Sequence, residues 1–147
     1  MLVSQKDQYA LRAVFELAKH YGRGPLKVAD IADAQSIPPR FLEVILSELK
    51  QADFLDSRRG QQGGYLLLVP PEEITVGDVI SALQGPIQIA ARRPGQSRSS
   101  HGDDGILRPL WREIEKAISG ICHSTSFADL VEQERLKVGM RVPTYAI

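Results

Sequence analysis

From Ser4 to about residue 20, Leu11, Val14, Phe15 and Ala18 recur at i, i+3, i+4 and i+7, the spacing of one buried helix face. Ser4 is placed to cap this helix, and Gly22, Gly24 and Pro25 end it. A shorter helix is predicted over residues 28–34, with Ile31 and Ala32 inward, followed by the turn Gln35-Ser36-Ile37. Pro38-Pro39 opens the next helix, because proline is tolerated in a first turn. There Leu42, Ile45, Leu46 and Leu49 form the apolar stripe, while Arg40, Glu43, Ser47 and Lys50 lie mostly on the other side. Two short helices joined by a tight turn, the second with a polar outward face, predict a helix-turn-helix whose second helix reads.

The period then shortens. Phe54-Leu55 begins one strand, residues 65–69 form a second, and Pro70-Pro71 stops the sheet. Between them lies Ser57-Arg58-Arg59-Gly60-Gln61-Gln62-Gly63-Gly64-Tyr65. Two adjacent arginines before a glycine-rich turn describe a wing whose basic tip reaches a phosphate backbone or a narrow minor groove. A surface hairpin holding two arginines by chance is the alternative.

Thr75 with Asp78 is a capping-box variant that opens a helix to about Gln84, and Gly85-Pro86 breaks it. Residues 90–105 have almost nothing apolar beyond Ala90 and Ala91, which predicts a mobile loop. From Leu107 a longer helix carries Leu107, Leu110, Trp111, Ile114, Ile118 and Ile121 on one stripe. Ser126 and Asp129 form another capping box, starting a short helix with Phe127, Leu130 and Val131. No clear period follows Leu136. The long stripe has more bulky residues than a helix-turn-helix core needs; it is either internal core or the face that meets a twin in a symmetric dimer.

These elements predict a mainly α chain with a small β-hairpin: a winged helix-turn-helix domain plus a long dimerisation helix. The expected divisions are 1–85 for the DNA-binding domain, 86–105 for the loop, 106–135 for the dimerisation helix and short helix, and 136–147 for the tail.

Composition narrows the function. The 147 residues carry no net charge, so there is no global polycation signature. The charge is uneven, however. Residues 90–112 hold Arg92, Arg93, Arg98, Arg108 and Arg112 against Asp103 and Asp104, while residues 70–89 hold only Glu72, Glu73 and Asp78. A neutral protein still binds nucleic acid through a local basic patch. The single cysteine, Cys122, excludes an internal disulfide and fits a reducing cytosol. No apolar run is long enough to span a bilayer, and the first residues lack a signal-peptide core, so a cytoplasmic location is expected.

Enzyme signatures are missing. There is no nucleophile elbow, no P-loop and no outstanding carboxylate pair, and His20, His101 and His123 are scattered. Cys122-His123 is the one hint of a reactive or metal site, but neighbours on a helix point about a quarter-turn apart, a poor arrangement for chelation by one chain. No catalytic residue, metal site or cofactor is expected.

At this point the chain resembles a known family. Tyr9-Ala10-Leu11-Arg12-Ala13, Ile31-Ala32, Ile37-Pro38, Phe41-Leu42-Glu43, Ser57-Arg58-Arg59-Gly60, Gly63-Gly64-Tyr65, Gly85-Pro86-Ile87, Trp111 and Ala128-Asp129-Leu130 occur in its order. The set is similar to the IscR/NsrR/CymR (Rrf-two) family of bacterial winged-helix transcription regulators, over residues 1–133. The resemblance implies a homodimer on palindromic promoter DNA. Many members hold an iron–sulfur cluster on three cysteines in the loop before the tryptophan. By the family's spacing those positions are Gly105, Ser99 and Arg93 here, with Arg108 where an extra histidine would sit and Gln8 where some members place a carboxylate. Clusters need thiolates or imidazoles. The resemblance is therefore to a cluster-free member, a minority type, and it implies control by a partner protein or small molecule.

The resemblance and side-chain chemistry together nominate DNA contacts. Arg59 matches the family's minor-groove arginine, a planar and permanently charged group. Arg58 takes a phosphate beside it, Gly60 lets the tip turn, and Gln61 bonds phosphate or base edges or is simply solvated. Arg40 is placed to bond guanine or a phosphate. Glu43 matches a position that accepts from cytosine in some members, or else orients Arg40. Pro39 offers apolar contact, as with a thymine methyl. Ser36 is placed near a phosphate at the helix start, and Ser4 with Lys6 clamps a backbone phosphate beside the first helix. Three alternatives stay open: an interaction module that has lost DNA binding, a ligand or partner site in loop 92–101, and redox sensing through Cys122.

Overall fold

The computed structural model describes residues 3–89 and 104–141. Within them it places α1 (Gln5–Lys19), α2 (Val28–Gln35), α3 (Pro39–Gln51), β1 (Leu55–Arg58), β2 (Gly64–Leu67), α4 (Val76–Gln84), α5 (Asp104–Ser124) and α6 (Phe127–Arg141). This is the expected mainly helical chain with one antiparallel hairpin. Residues 90–103 of the expected mobile loop, with the arginines at 92, 93 and 98, lie outside the described residues, as does the end of the tail from residue 142; Asp104 and Gly105, expected in that loop, belong instead to α5.

The start of α1 is held by a reciprocal cap. Asp7 donates its backbone N–H to Ser4 Oγ at 3.1 Å, and Asp7 Oδ2 accepts from the Ser4 backbone N–H at 2.9 Å and hydroxyl at 2.7 Å. Asp7 is only 3% exposed and also accepts from Gln84 Nε2 at 2.9 Å. A buried carboxylate without such partners would strongly oppose folding. The same bond ties the start of α1 to the end of α4.

The buried face of α1 is Ala10, Ala13, Val14, Leu17 and Ala18. Leu11 and Phe15 are only half-buried, beside Leu130 of α6. The sequence stripe was therefore rotated toward the bulkier residues. Alanines at 10 and 13 occupy the deepest positions because they let other helices come close. Ile31 and Ala32 of α2, and Leu42, Ile45, Leu46 and Leu49 of α3, complete this core as the spacing predicts.

The wing is short and well anchored. Leu55 pairs with Leu67 and Arg58 with Gly64, which leaves residues 59–63 as the tip. Phe54 and residues 68–69 fall outside the strands, although Leu68 N–H donates to the Phe54 carbonyl at 2.9 Å. A feature absent from the sequence reading is a third partner. Leu26 and Tyr65 exchange both backbone bonds, at 2.8 and 2.9 Å, so the segment before α2 flanks β2. Gly64 makes this possible: its φ is +150°, and a Cβ there would stand 2.2 Å from the Leu26 carbonyl oxygen.

Helix α5 begins at Asp104, three residues before Leu107, and contains Pro109. Its C-terminal end rests on α4. The His123 ring occupies the space over Gly77, where a Cβ would meet Nδ1 at 2.5 Å. Val76 N–H donates to the Thr125 carbonyl at 3.0 Å, and Phe127 N–H to the Ile74 carbonyl at 3.0 Å. The expected Ser126–Asp129 box then starts α6, with both bonds at 3.0 Å. Helix α6 is longer than its apolar spacing suggests and runs to Arg141. Phe127 is fully buried in the same core as α1 and α3. Lys19 of α1 pairs with Glu16 at 2.8 Å and Glu134 of α6 at 3.4 Å. Partial burial opposes its charge, but the hydrogen bonds and charges of Glu16 and Glu134 prevail and hold the ammonium above its usual pKa.

Two measurements check this packing. Phe127→Ala is expected to lower unfolding free energy by about 3–5 kcal/mol in urea titration; a neutral result would separate α6 from the core. Gly64→Ala is expected to destabilise by on the order of 2 kcal/mol or more, because backbone must move to admit the methyl. An unchanged melting temperature would refute the Leu26–Tyr65 anchor.

Candidate nucleic-acid interface

Three exposed pieces of the chain carry the expected contacts: the outward side of α3, the turn before it, and the wing tip. The turn is tight because Ser36 adopts a left-handed conformation, φ 52° and ψ 47°, at the end of α2. Ser36 and Ile37 both donate backbone N–H groups to the Ala32 carbonyl. From α1, Arg12 reaches the Gln35 carbonyl at 3.1 Å while its guanidinium lies 5.0 Å from the Tyr9 ring centre. The Gln35 side chain bonds Glu16. The turn is thus fixed from beneath, and Ser36 itself is exposed.

Helix α3 follows with Pro39 in its first turn. Its four buried residues set its rotation, so Arg40, Glu43 and Ser47 are exposed. Two contacts fix its flanks. Lys6 from α1 pairs with Glu48 at 2.7 Å. Lys50 donates to Ser57 Oγ of β1 at 2.6 Å, which stitches the reading helix to the wing. Neither contact was legible in the sequence, since each joins residues on different elements.

At the wing tip Gly60 has φ +107°, and Gly63 N–H donates back to its carbonyl at 3.0 Å. A Cβ on Gly63 would stand 2.3 Å from the Arg58 carbonyl oxygen, so the tip closes only with glycine there. Arg58 leans toward Asp56 at 3.7 Å. Arg59, Gln61, Arg40 and Glu43 are exposed and make no hydrogen bond or ion pair among the described residues. Ser47 and Gln62 are likewise exposed and without a side-chain bond among the described residues.

The structure sorts the remaining expected contacts. Ser4 has both its donors, hydroxyl and backbone N–H, on Asp7, so neither is left for a phosphate. Lys6 reaches a phosphate only by leaving or sharing Glu48. Pro39 and Gly60 are exposed at the helix start and the wing tip.

Cluster chemistry does not fit this donor set. Three thiolates are required, and the chain has one cysteine, Cys122, half-buried near the end of α5. Gly105, at one of the three positions, has no donor and lies in the first turn of α5. His123, beside Cys122, turns its ring onto Gly77 and brings Nδ1 within 2.9 Å of the Ser119 carbonyl.

On this geometry, likeness to known proteins is informative. Residues 3–133 match the Rrf2 family, described as iron-dependent transcriptional regulators. The chain is 35% identical to the HTH-type transcriptional regulator IscR of Serratia proteamaculans over 138 residues, 94% of this chain and 84% of that protein. It is also 35% identical to the HTH-type transcriptional regulator CymR of Bacillus subtilis over 130 residues, 88% of this chain and 89% of that protein. Its fold superposes on the structure of CymR, the global cysteine regulator of B. subtilis, with a TM-score of 0.77 at 33% identity, covering 90% of this chain and 98% of that one. For T. potens IscR the TM-score is 0.74 at 30% identity, covering 91% and 88%. No described helix is long and apolar enough to cross a membrane. A winged helix-turn-helix with an exposed reading helix, an unpaired wing arginine and these relatives places the chain in the Rrf2 family of bacterial DNA-binding transcription regulators, which are not enzymes.

Proposed function

We propose that the protein is a cytoplasmic homodimer that grips palindromic duplex DNA, represses transcription from it, and does so without an iron–sulfur cluster. Its control comes instead from a protein partner or a small molecule. The observation that carries the DNA assignment is Arg59, standing unpaired at the tip of a wing that Lys50 and Ser57 lock to the reading helix. Arg59 enters the minor groove; Arg40 and Glu43 meet base edges in the major groove, with Pro39 beside them. Arg58, Lys6, Gln61 and the Ser36 hydroxyl serve phosphates, and Gly60 permits close approach of the tip.

The dimer reading rests on α5. Ile106, Leu107, Leu110 and Ile121 are 90, 41, 46 and 68% exposed within a single chain. Apolar area of that size along one helix fits a twin helix across a two-fold axis. The cluster-free reading rests on the donor set. Cys122 has no second cysteine in the chain to resolve an oxidised thiol, so redox control is the weaker alternative.

Binding is expected to weaken steeply with salt, with a slope of log K against log salt near roughly −7 if each protomer neutralises about four phosphates. Arg59→Ala is expected to cost on the order of 1–3 kcal/mol in a gel-shift titration. A flat salt response, or unchanged affinity of the variant, would remove the wing from the site. Sedimentation of the full chain is expected to give twice the monomer mass, shifting to monomer in Leu110→Glu. Protein purified without oxygen is expected to be colourless and free of iron; a brown, iron-bearing product would overturn the cluster-free reading.

A further inference from the structure

Helix α3 carries two large apolar side chains that stay mostly uncovered among the described residues. Phe41 is 63% exposed and Val44 is 55% exposed. The core side of α3 is fully assigned to Leu42, Ile45, Leu46 and Leu49. Val44 lies squarely opposite, one turn after Arg40 and one turn before Ser47, in the middle of the outward face. Val is a poorer helix former than Leu or Arg, so helix stability does not explain it there. Solvent exposure of its methyls gives no gain either. Its place between two polar residues that face the same way points to a partner that is polar with one apolar spot.

The major groove is such a surface. Donors and acceptors line it, and its one protruding apolar group is the C5-methyl of thymine. We propose that Val44 packs on a thymine 5-methyl in each half-site, with Phe41 one turn earlier screening that contact from water. This deepens the DNA-reading assignment and rests on it. Four residues of helix advance about 6 Å, so the thymine lies within about two base pairs of the base that Arg40 faces. Continuity with the exposed Arg40 and Glu43 of the same helix, in a chain of a DNA-binding family, favours duplex DNA over a protein as the occupant of this patch.

The test uses the full-length protein and a random duplex library. Sites are selected first, and each conserved thymine of the selected site is then replaced by deoxyuridine, which removes the methyl and leaves every hydrogen-bonding group. Loss of one buried methyl corresponds to about a fourfold loss of affinity. The wild type is expected to weaken by about that factor for a single thymine near the Arg40 position, and by roughly fifteenfold when both half-sites are changed. Val44→Ala, at an exposed position that leaves the core intact, is expected to bind the thymine site more weakly and to be indifferent to the exchange. Equal affinity of the wild type for both DNAs, or the same sensitivity in Val44→Ala, would overturn the contact while DNA reading stands. Failure to select any site would overturn DNA reading itself, and capture of a protein by the Phe41–Val44 patch with no effect of deoxyuridine would assign the patch elsewhere.

Discussion

The reading head depends on how closely its elements approach α1. Helices α2, α3, α4 and α6 and strand β2 all pack on this one helix. Ala10 and Ala13 are completely buried in its contact face, with Val14 and Leu17 beside them. Small side chains set short interaxial distances, and those distances fix where the outward side of α3 points. Asp7 closes the same helix at its start, through a capping box and through Gln84 of α4. The tilt of α3 is therefore decided inside the core, by residues that do not lie on its outward face.

Charge works locally in a molecule of zero net charge. Exposed ion pairs such as Lys6–Glu48 contribute at most about 1 kcal/mol, so their value is positional. Lys6–Glu48 and Lys50–Ser57 hold α3 from two sides. Arg12 holds the turn from below. Arg40 on α3 and Arg59 at the wing tip have no such partner among the described residues, a state they share with Arg23 and Lys27.

Local signals in the sequence were reliable. The Ser4, Thr75 and Ser126 caps, the α3 stripe and the Arg58-Arg59-Gly60 wing were all readable, because each depends on residues within a turn or two of one another. Failures came from two sources. Alanine carries little weight in a hydrophobic pattern, so the expected α1 face of Leu11, Val14, Phe15 and Ala18 is right at Val14 and Ala18 but takes Leu11 and Phe15 in place of Ala10 and Ala13. Long-range partners leave no periodic trace, so the Leu26–Tyr65 exchange, the His123–Gly77 contact and the pairing of Lys6 with Glu48 were invisible. Helix α6 outran its stripe because Leu136 and Val138 in its outer turns are exposed and build no buried face, while the Glu132–Arg135 pair supports a helix without an apolar period.

The contact between Gly77 and His123 has a mechanical meaning. An imidazole seated where a methyl would otherwise stand leaves α4 and α5 no slack, and the backbone bonds at Val76 and Phe127 lock the corner on either side. The end of α5 is held against α4 at this point, so any side chain at position 77 would have to displace the imidazole before the two helices could keep their spacing.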